Sequence, residues 1–222
     1  MNKIKKYFLF ISLTVLTGVL CSSTTRPVKI ALIKYNGGGD WYSVVDALKN
    51  LVNFCNREAN MNIDPEYATV EVGSSEIFNY PFVFLTGHGN ILLNSQEIEN
   101  LRNYLSAGGF LYVDDDYGLD KFIRPVFKQL FPDKELIEIP FAHPVFHQKY
   151  DFPNGMPKIH EHDDKAPKTY GIFIEGRLVC LYSTESNISD GWDSADVHKD
   201  SEEARLKALK MGANIIQFAF TQ

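Results

Sequence analysis

Phe82-Val83-Phe84-Leu85-Thr86-Gly87-His88-Gly89 is the stretch that decides the fold. Four consecutive apolar residues without alternation describe a strand covered on both faces, as in a parallel sheet between two helical layers. The strand then stops on a glycine–histidine–glycine turn. Two other segments repeat this plan. Val28–Tyr35 runs into Gly37-Gly38-Gly39-Asp40-Trp41, and Phe110–Val113 runs into Asp114-Asp115-Asp116. In an open parallel sheet the carboxyl ends of the strands share one edge, and ligands bind at that edge. The three polar clusters are therefore expected to converge in space.

Helical periodicity fills the intervals between these strands. After the first strand a helix is expected from near Ser43, where Ser43 and Asp46 have capping-box spacing and Val45, Leu48, Val52 and Cys55 form one stripe. Ala68–Val72 reads as a short strand. A second helix starts from Asn94 as N-cap with Glu97 three residues on, buries Ile98, Leu101 and Leu105, and stops at Gly108. A third is expected over Arg124–Phe131, with Pro125 in its first turn and Pro132 at its end. Leu136–Ile139 is a further strand candidate. Tyr170–Ile174 and Arg177–Tyr182 flank Glu175-Gly176 as a late β-hairpin, and a last helix spans about Ser201 to Phe220. Strands alternating with helices predict a three-layer, doubly wound α/β domain with a mainly parallel sheet.

The N-terminus reads as a targeting segment. Lys3, Lys5 and Lys6 precede an apolar run, Tyr7–Leu20, followed by Cys21-Ser22-Ser23, which is the pattern of a secretory signal. The run is short for a spanning helix, which needs roughly 20 residues. Leu20 before Cys21 argues against lipidation; cleavage and an uncleaved anchor both stay open. Residues 1–25 are set aside as the signal, and 26–222 as one domain exported to the periplasm or cell envelope. A net charge of −6 without a Lys/Arg stripe excludes a nucleic-acid partner, because phosphate contacts need clustered cations. Any membrane contact would come only through an uncleaved signal. Cys55 and Cys180 read as buried thiols, with a disulfide between them as the alternative.

Several blocks together resemble a known family. They are Gly37–Tyr42, Leu85–Gly89, Gly108-Gly109-Phe110 leading to Asp114-Asp115, His143-Pro144, Pro157–His162, Gly176-Arg177, Asp190-Gly191-Trp192 and Met211–Asn214. In this order, over about residues 28–220, they resemble a bacterial domain family of unknown function with a class I glutamine amidotransferase-like fold. The resemblance implies the fold and almost no activity. A glutaminase needs a cysteine on the sharp turn after a central strand. Here that turn carries Asp114-Asp115-Asp116, while Cys55 falls in a helix and Cys180 inside a strand. Glutaminase chemistry is excluded.

The candidate ligand-binding residues are Asp40, Trp41, His88, Asp114, Asp115, Asp116, His143, Asp190 and Trp192. The three glycines before Asp40 would let backbone N–H groups approach an anion, or would simply turn the chain. Trp41 is either a stacking platform or core. His88, between two glycines, is placed to act as ligand, general base or loop anchor. Strand alternation puts Asp114 and Asp116 on one face, where two carboxylates could bind a hard cation, and Asp115 on the other; capping before Asp120 would account for one of the three. The segment Phe141–Thr169 lacks periodicity and holds His143, His147, His160 and His162; such long loops are more often functional than decorative. It is expected to fold over the carboxyl edge, bringing His143 and His160 or His162 toward His88 and Asp114. A divalent metal is the cofactor these residues would hold, with His88, His143, His160, His162, Asp114 and Asp116 as candidate ligands. Asp190, Trp192, Asp193, His198 and Asp200 form a further polar segment, whose plain reading is a surface loop with Asp200 or Ser201 capping the last helix. Two functions follow. One is an exported domain that binds a small polar ligand or protein partner without turnover; the other is a metal-dependent hydrolase.

Overall fold

The computed structural model describes residues 26–222 apart from 45 and 161–163. The expected signal segment, stripe residue Val45 and candidate ligand His162 therefore lie outside the described residues. A seven-stranded sheet contains β1 (Ala31–Lys34), β2 (Ala68–Glu71), β3 (Phe82–Leu85), β4 (Phe110–Asp114), β5 (Ile137–Glu138), β6 (Lys168–Ile174) and β7 (Arg177–Thr184). The spatial order is β2-β1-β3-β4-β7-β6-β5. Every pairing from β2 to β7 is parallel. β6 runs antiparallel to β7 across Glu175-Gly176, and β5 is an antiparallel edge of two residues.

The central strand does what its unbroken apolar run requires. Phe82 and Phe84 point into one core layer, Val83 and Leu85 into the other. The first layer is closed by α1 (Ala47–Ala59) and α5 (Glu202–Thr221), the second by α2 (Ser95–Ser106) and α3 (Asp120–Leu130). The α2 capping box is present: Asn94 accepts from the Glu97 N–H while Glu97 accepts from the Asn94 N–H. Arg177 donates to the carbonyls of Leu105, Gly108 and Gly109, which binds the start of β7 to the end of α2.

Two helix starts are corrected, and the reading of the cysteines as buried thiols holds. α1 starts at Ala47, not Ser43, because Asp46 rather than Ser43 occupies the N-cap and its own side chain makes no capping bond. α3 starts at Asp120, so Pro125 lies inside it and removes one helical hydrogen bond. Cys55 and Cys180 are both buried free thiols, without a disulfide. Ser201 caps α5 by accepting from the Ala204 N–H. No helix among the described residues is long and apolar enough to cross a membrane.

Trp192 belongs to the core. Its ring lies 5.3 Å from Phe84 and 6.1 Å from Tyr112, and its indole N–H donates to the Ala208 carbonyl. α5 lies this close because it carries Gly212 there: a Cβ at that position would sit 2.9 Å from the indole and 2.6 Å from Leu51. Two effects of Gly212→Ala oppose each other. Helix propensity gains about 1 kcal/mol, while overpacking costs about 1–3 kcal/mol. We expect the clash to win, so chemical denaturation of Gly212→Ala should show a lower midpoint than the natural chain. A higher midpoint would contradict this packing.

Candidate functional site

β1 has β2 on one side and β3 on the other, so the chain leaves β1 at the point where strand order reverses. In such sheets the crevice outside the carboxyl ends at this point is where ligands bind. The loops after β1 and β3 lie at that point and pair with each other. Gly39 donates to the Asn90 carbonyl (2.8 Å), Leu92 to Asn36 (2.7 Å) and Asp40 to His88 (3.3 Å). Gly87 adopts φ +132° beneath the Tyr35 hydroxyl, which donates to the Thr86 carbonyl; a Cβ on Gly87 would lie 2.5 Å from that oxygen. The glycine run thus allows two loops to meet. The Gly39 N–H is spent on Asn90, and α1 begins only at Ala47, so no helix N-terminus directly follows the glycine run.

Pairing of the loops places Asp40 on His88. The carboxylate accepts from the His88 backbone N–H, and its two oxygens lie 3.2 and 3.1 Å from Nδ1. A turn closed by the Ser43 N–H on the Asp40 carbonyl (2.8 Å) carries Trp41 and Tyr42 at its tip. Trp41 is half-buried, packs on both core layers and meets Tyr42 edge-on at 5.4 Å. Tyr42 itself is exposed.

The three adjacent aspartates separate as strand alternation requires. Asp115 faces α3, accepting from the Leu119 N–H (2.7 Å) and the Thr184 hydroxyl (3.2 Å), so it caps a helix. Asp114 and Asp116 face the other way. Asp114 is fully buried and accepts from the Ser183 hydroxyl (2.6 Å), the Ser189 N–H (2.9 Å) and the Ser189 hydroxyl (2.8 Å). Burial outweighs those bonds and pushes its carboxyl up to about 6. Its stabilising contribution is therefore complete below the unfolded value near 3.8 and is lost as pH rises through about 6, costing about 3 kcal/mol at neutral pH. Asp116 accepts from Asn187 (3.2 Å) and Ser43 (3.4 Å) and lies 3.7 Å from His88 Nδ1. Burial, then the neighbouring Asp190, Asp114 and Asp40 carboxylates, raise it far above the ordinary range.

The Ser189 bonds to Asp114 hold the turn Asp190–Trp192 over the same edge. Asp190, 5% exposed, stands against Asp116 and receives two histidines: His160 Nδ1 at 3.1 Å from Oδ2, and His198 Nε2 at 3.5 Å from Oδ1. His198 ends the short α4 (Ala195–His198) and lies 3.3 Å from Asp193. Asp193 in turn accepts from the Asp46 N–H (2.8 Å), capping α1 from 147 residues away. Among the described residues the carboxylates of Asp40, Asp116, Asp190 and Asp193 form ion pairs with histidines alone, while Arg205 donates to the Asp193 backbone carbonyl (3.0 and 2.6 Å).

The structure thus brings Asp40, His88, Asp114, Asp116, Asp190 and His160 to one edge, and it leaves out others. His143 lies at the amino edge, where β7 begins, beside Phe218 (5.2 Å) and Phe173 (6.2 Å), with Gly176 and Arg177 lining the same hollow. It accepts from the Val145 N–H, and burial lowers its pKa. The long segment therefore reaches the carboxyl edge only at its second half; its first half is tied to α5 by Asn214, which bonds both the N–H and the carbonyl of Tyr150 (3.0 and 2.7 Å). His147 pairs with Asp151 in its own turn. His198 and Asp193 join the cluster, although the sequence marked them only as part of a polar segment whose plain reading is a surface loop.

A cleft of about 800 Å³ opens beside the cluster, lined by Tyr117, Lys121, Arg124, Tyr170, Thr184 and Asn187 among others. Asn187 is shared, since its amide donates to Asp116. Tyr117, Glu185 and Asn187 on its wall have φ of +71°, +62° and +49°, a left-handed backbone that side chains disfavour and that concentrates at functional sites.

These features define an α/β domain with a mostly parallel sheet and an acidic, histidine-rich carboxyl edge. The chain belongs to the family described as Domain of unknown function (DUF4159), whose model matches residues 29–220. No curated protein matches its sequence.

Burial and the neighbouring carboxylates raise Asp116 far enough that in metal-free protein it keeps its proton at neutral pH. Asparagine at 116 imitates the protonated form and keeps a donor toward Asp190. The proton-linked stability of Asp116 is present below its unfolded pKa and is lost as pH rises toward the raised folded value. In chelator-treated protein, Asp116→Asn should therefore melt at least about 2 °C above the natural chain at pH 8, the shift expected for about 1 kcal/mol, with the difference shrinking toward pH 4. A difference independent of pH would contradict a proton retained on Asp116.

Proposed function

We propose that this chain is an exported domain of the class I glutamine amidotransferase-like fold that binds a small polar ligand at the carboxyl edge of its sheet and performs no glutaminase chemistry. Export rests on the basic and apolar order of Lys3–Leu20. The fold reading is supported by the order β2-β1-β3-β4 at the centre of the sheet and by the antiparallel β6 and β7 at its side. The missing nucleophile is supported by both thiols: Cys55 is buried in α1 with its pKa pushed up to about 12, and Cys180 is buried in β7 with its pKa raised further still. A thiol held protonated is no nucleophile.

One observation carries the ligand reading. The sheet edge at the strand-order reversal carries a half-exposed imidazole, His88, fixed by Asp40 through Nδ1, with the buried carboxyl of Asp116 3.7 Å away. Convergent polar groups in a concavity are the recognition chemistry of a small polar ligand. A His88 oriented on one side by a carboxylate offers its other nitrogen outward as donor or acceptor.

A thermal-shift panel of monosaccharides, amino acids and dicarboxylates checks this reading. At least one compound should raise the melting temperature of the natural chain, and His88→Ala should abolish that shift while changing unliganded stability by no more than about 0.5 kcal/mol. Incubation with glutamine should release no ammonia. A ligand bound equally well by His88→Ala, or ammonia release above background, would overturn the proposal.

A further inference from the structure

We propose that His160, Asp190 and His198 form a binding site for one divalent transition-metal ion, with zinc as the ion to test. The three donors come from separate parts of the chain: the segment before β6, the turn after β7, and the end of α4. Their nearest ligand atoms all lie within 4.8 Å of one another. Asp190 stands between the imidazoles, 3.1 Å from His160 Nδ1 and 3.5 Å from His198 Nε2. Those contacts are to different oxygens, Oδ2 and Oδ1; bonds of 2.0–2.1 Å in a tetrahedral zinc site put neighbouring ligand atoms about 3.4 Å apart, so one ion would draw the three donors in from their spread of at most 4.8 Å. The rings are 5.9 Å apart and nearly perpendicular, at 83°, which turns both nitrogens toward the carboxylate without stacking.

Charge supplies an independent reason. Asp116, Asp190 and Asp193 are each at most 5% exposed; among the described residues their carboxylates form ion pairs with histidines alone, and Arg205 reaches only the Asp193 backbone carbonyl. Buried carboxylates in such excess require a compensating cation or bound protons. A divalent ion at Asp190 supplies that charge. Two imidazoles and a carboxylate are donors of intermediate softness, suited to zinc, cobalt, nickel or iron rather than to calcium or magnesium. The His198 Nε2 that would bind the ion also lies 3.3 Å from Asp193, so metal binding would replace that contact, while Asp116 lies against Asp190. Three protein ligands leave coordination positions for water or ligand oxygens. The competing account is a pair of imidazolium–carboxylate ion pairs that need no metal.

The test uses full-length chain produced without a histidine tag, stripped with chelator and titrated with zinc by calorimetry. The natural chain should bind one zinc per chain. Loss of an orienting partner alone weakens metal sites 10–100-fold, so loss of a ligand through His198→Ala or Asp190→Asn should weaken binding at least about 100-fold. His147→Ala removes an imidazole of the same long segment that pairs elsewhere, and it should bind as the natural chain does. Asp190 is buried, so circular dichroism accompanies each variant. Should Asp190→Asn fail to fold, the half-exposed His198→Ala decides, together with an anomalous-scattering peak expected between the three side chains in zinc-soaked crystals. Binding below about 0.2 equivalents by the natural chain, undiminished binding by His198→Ala, or a peak elsewhere would overturn the proposal. No organic ligand enters this titration, so its failure is separable from failure of the polar-ligand reading.

Discussion

Burying the Asp114 carboxylate at the end of a central strand is the constraint from which the rest of the carboxyl edge follows. A fully buried carboxylate must have its lone pairs met. Asp114 meets them with Ser183 in the strand beside it and with Ser189 in the loop beyond that strand. Those bonds do more than solvate a charge. They fix the loop after β7 over the sheet edge, which sets Asp190 against Asp116 and offers it to His160 and His198. The same loop continues to Asp193, which caps α1. One buried side chain thereby links β4, β7, the turn at Asp190–Trp192 and the start of the first helix. Site and fold share the same hydrogen bonds.

The parts of this arrangement that sequence made legible are those with local causes. Phe82–Leu85 read as a doubly covered strand because four apolar residues in a row admit little else, and Asn94 with Glu97 read as a helix start because both halves of a capping box lie within three residues. The split of Asp114 and Asp116 from Asp115 follows from strand alternation alone. The errors arose where a distant partner replaced a local one. Ser43 has the spacing to cap a helix, yet its hydroxyl goes to Asp116, and the helix is capped instead by Asp193. His143 and His160 share one segment without periodicity, and nothing within it tells which half is drawn to the amino edge. Asn214 in α5 and the aromatic contacts of His143 decide that. His198 was legible only as a polar residue, because its relation to Asp190 depends on a short helix between loops.

The glycines and tryptophan of the motif blocks divide between two tasks. Gly87 and Gly39 let two loops approach closely enough to join Asp40 to His88, so their role is to build the site. Gly212 and Trp192 lock α5 to the sheet and touch no solvent-facing chemistry. A motif carries function only where its side chains end at a surface, and burial separates the two groups here.

At the centre of this account stands an edge that holds more buried carboxylate than its histidines can neutralise, which leaves Asp116 protonated in the absence of a cation. Carbon-13 NMR of aspartate-labelled, metal-free protein reads this directly, following each carboxyl shift with pH and assigning Asp116 by its loss in Asp116→Asn. The account predicts that Asp116 titrates well above the ordinary aspartate range and after Asp114. Titration of Asp116 alongside the exposed aspartates would contradict it.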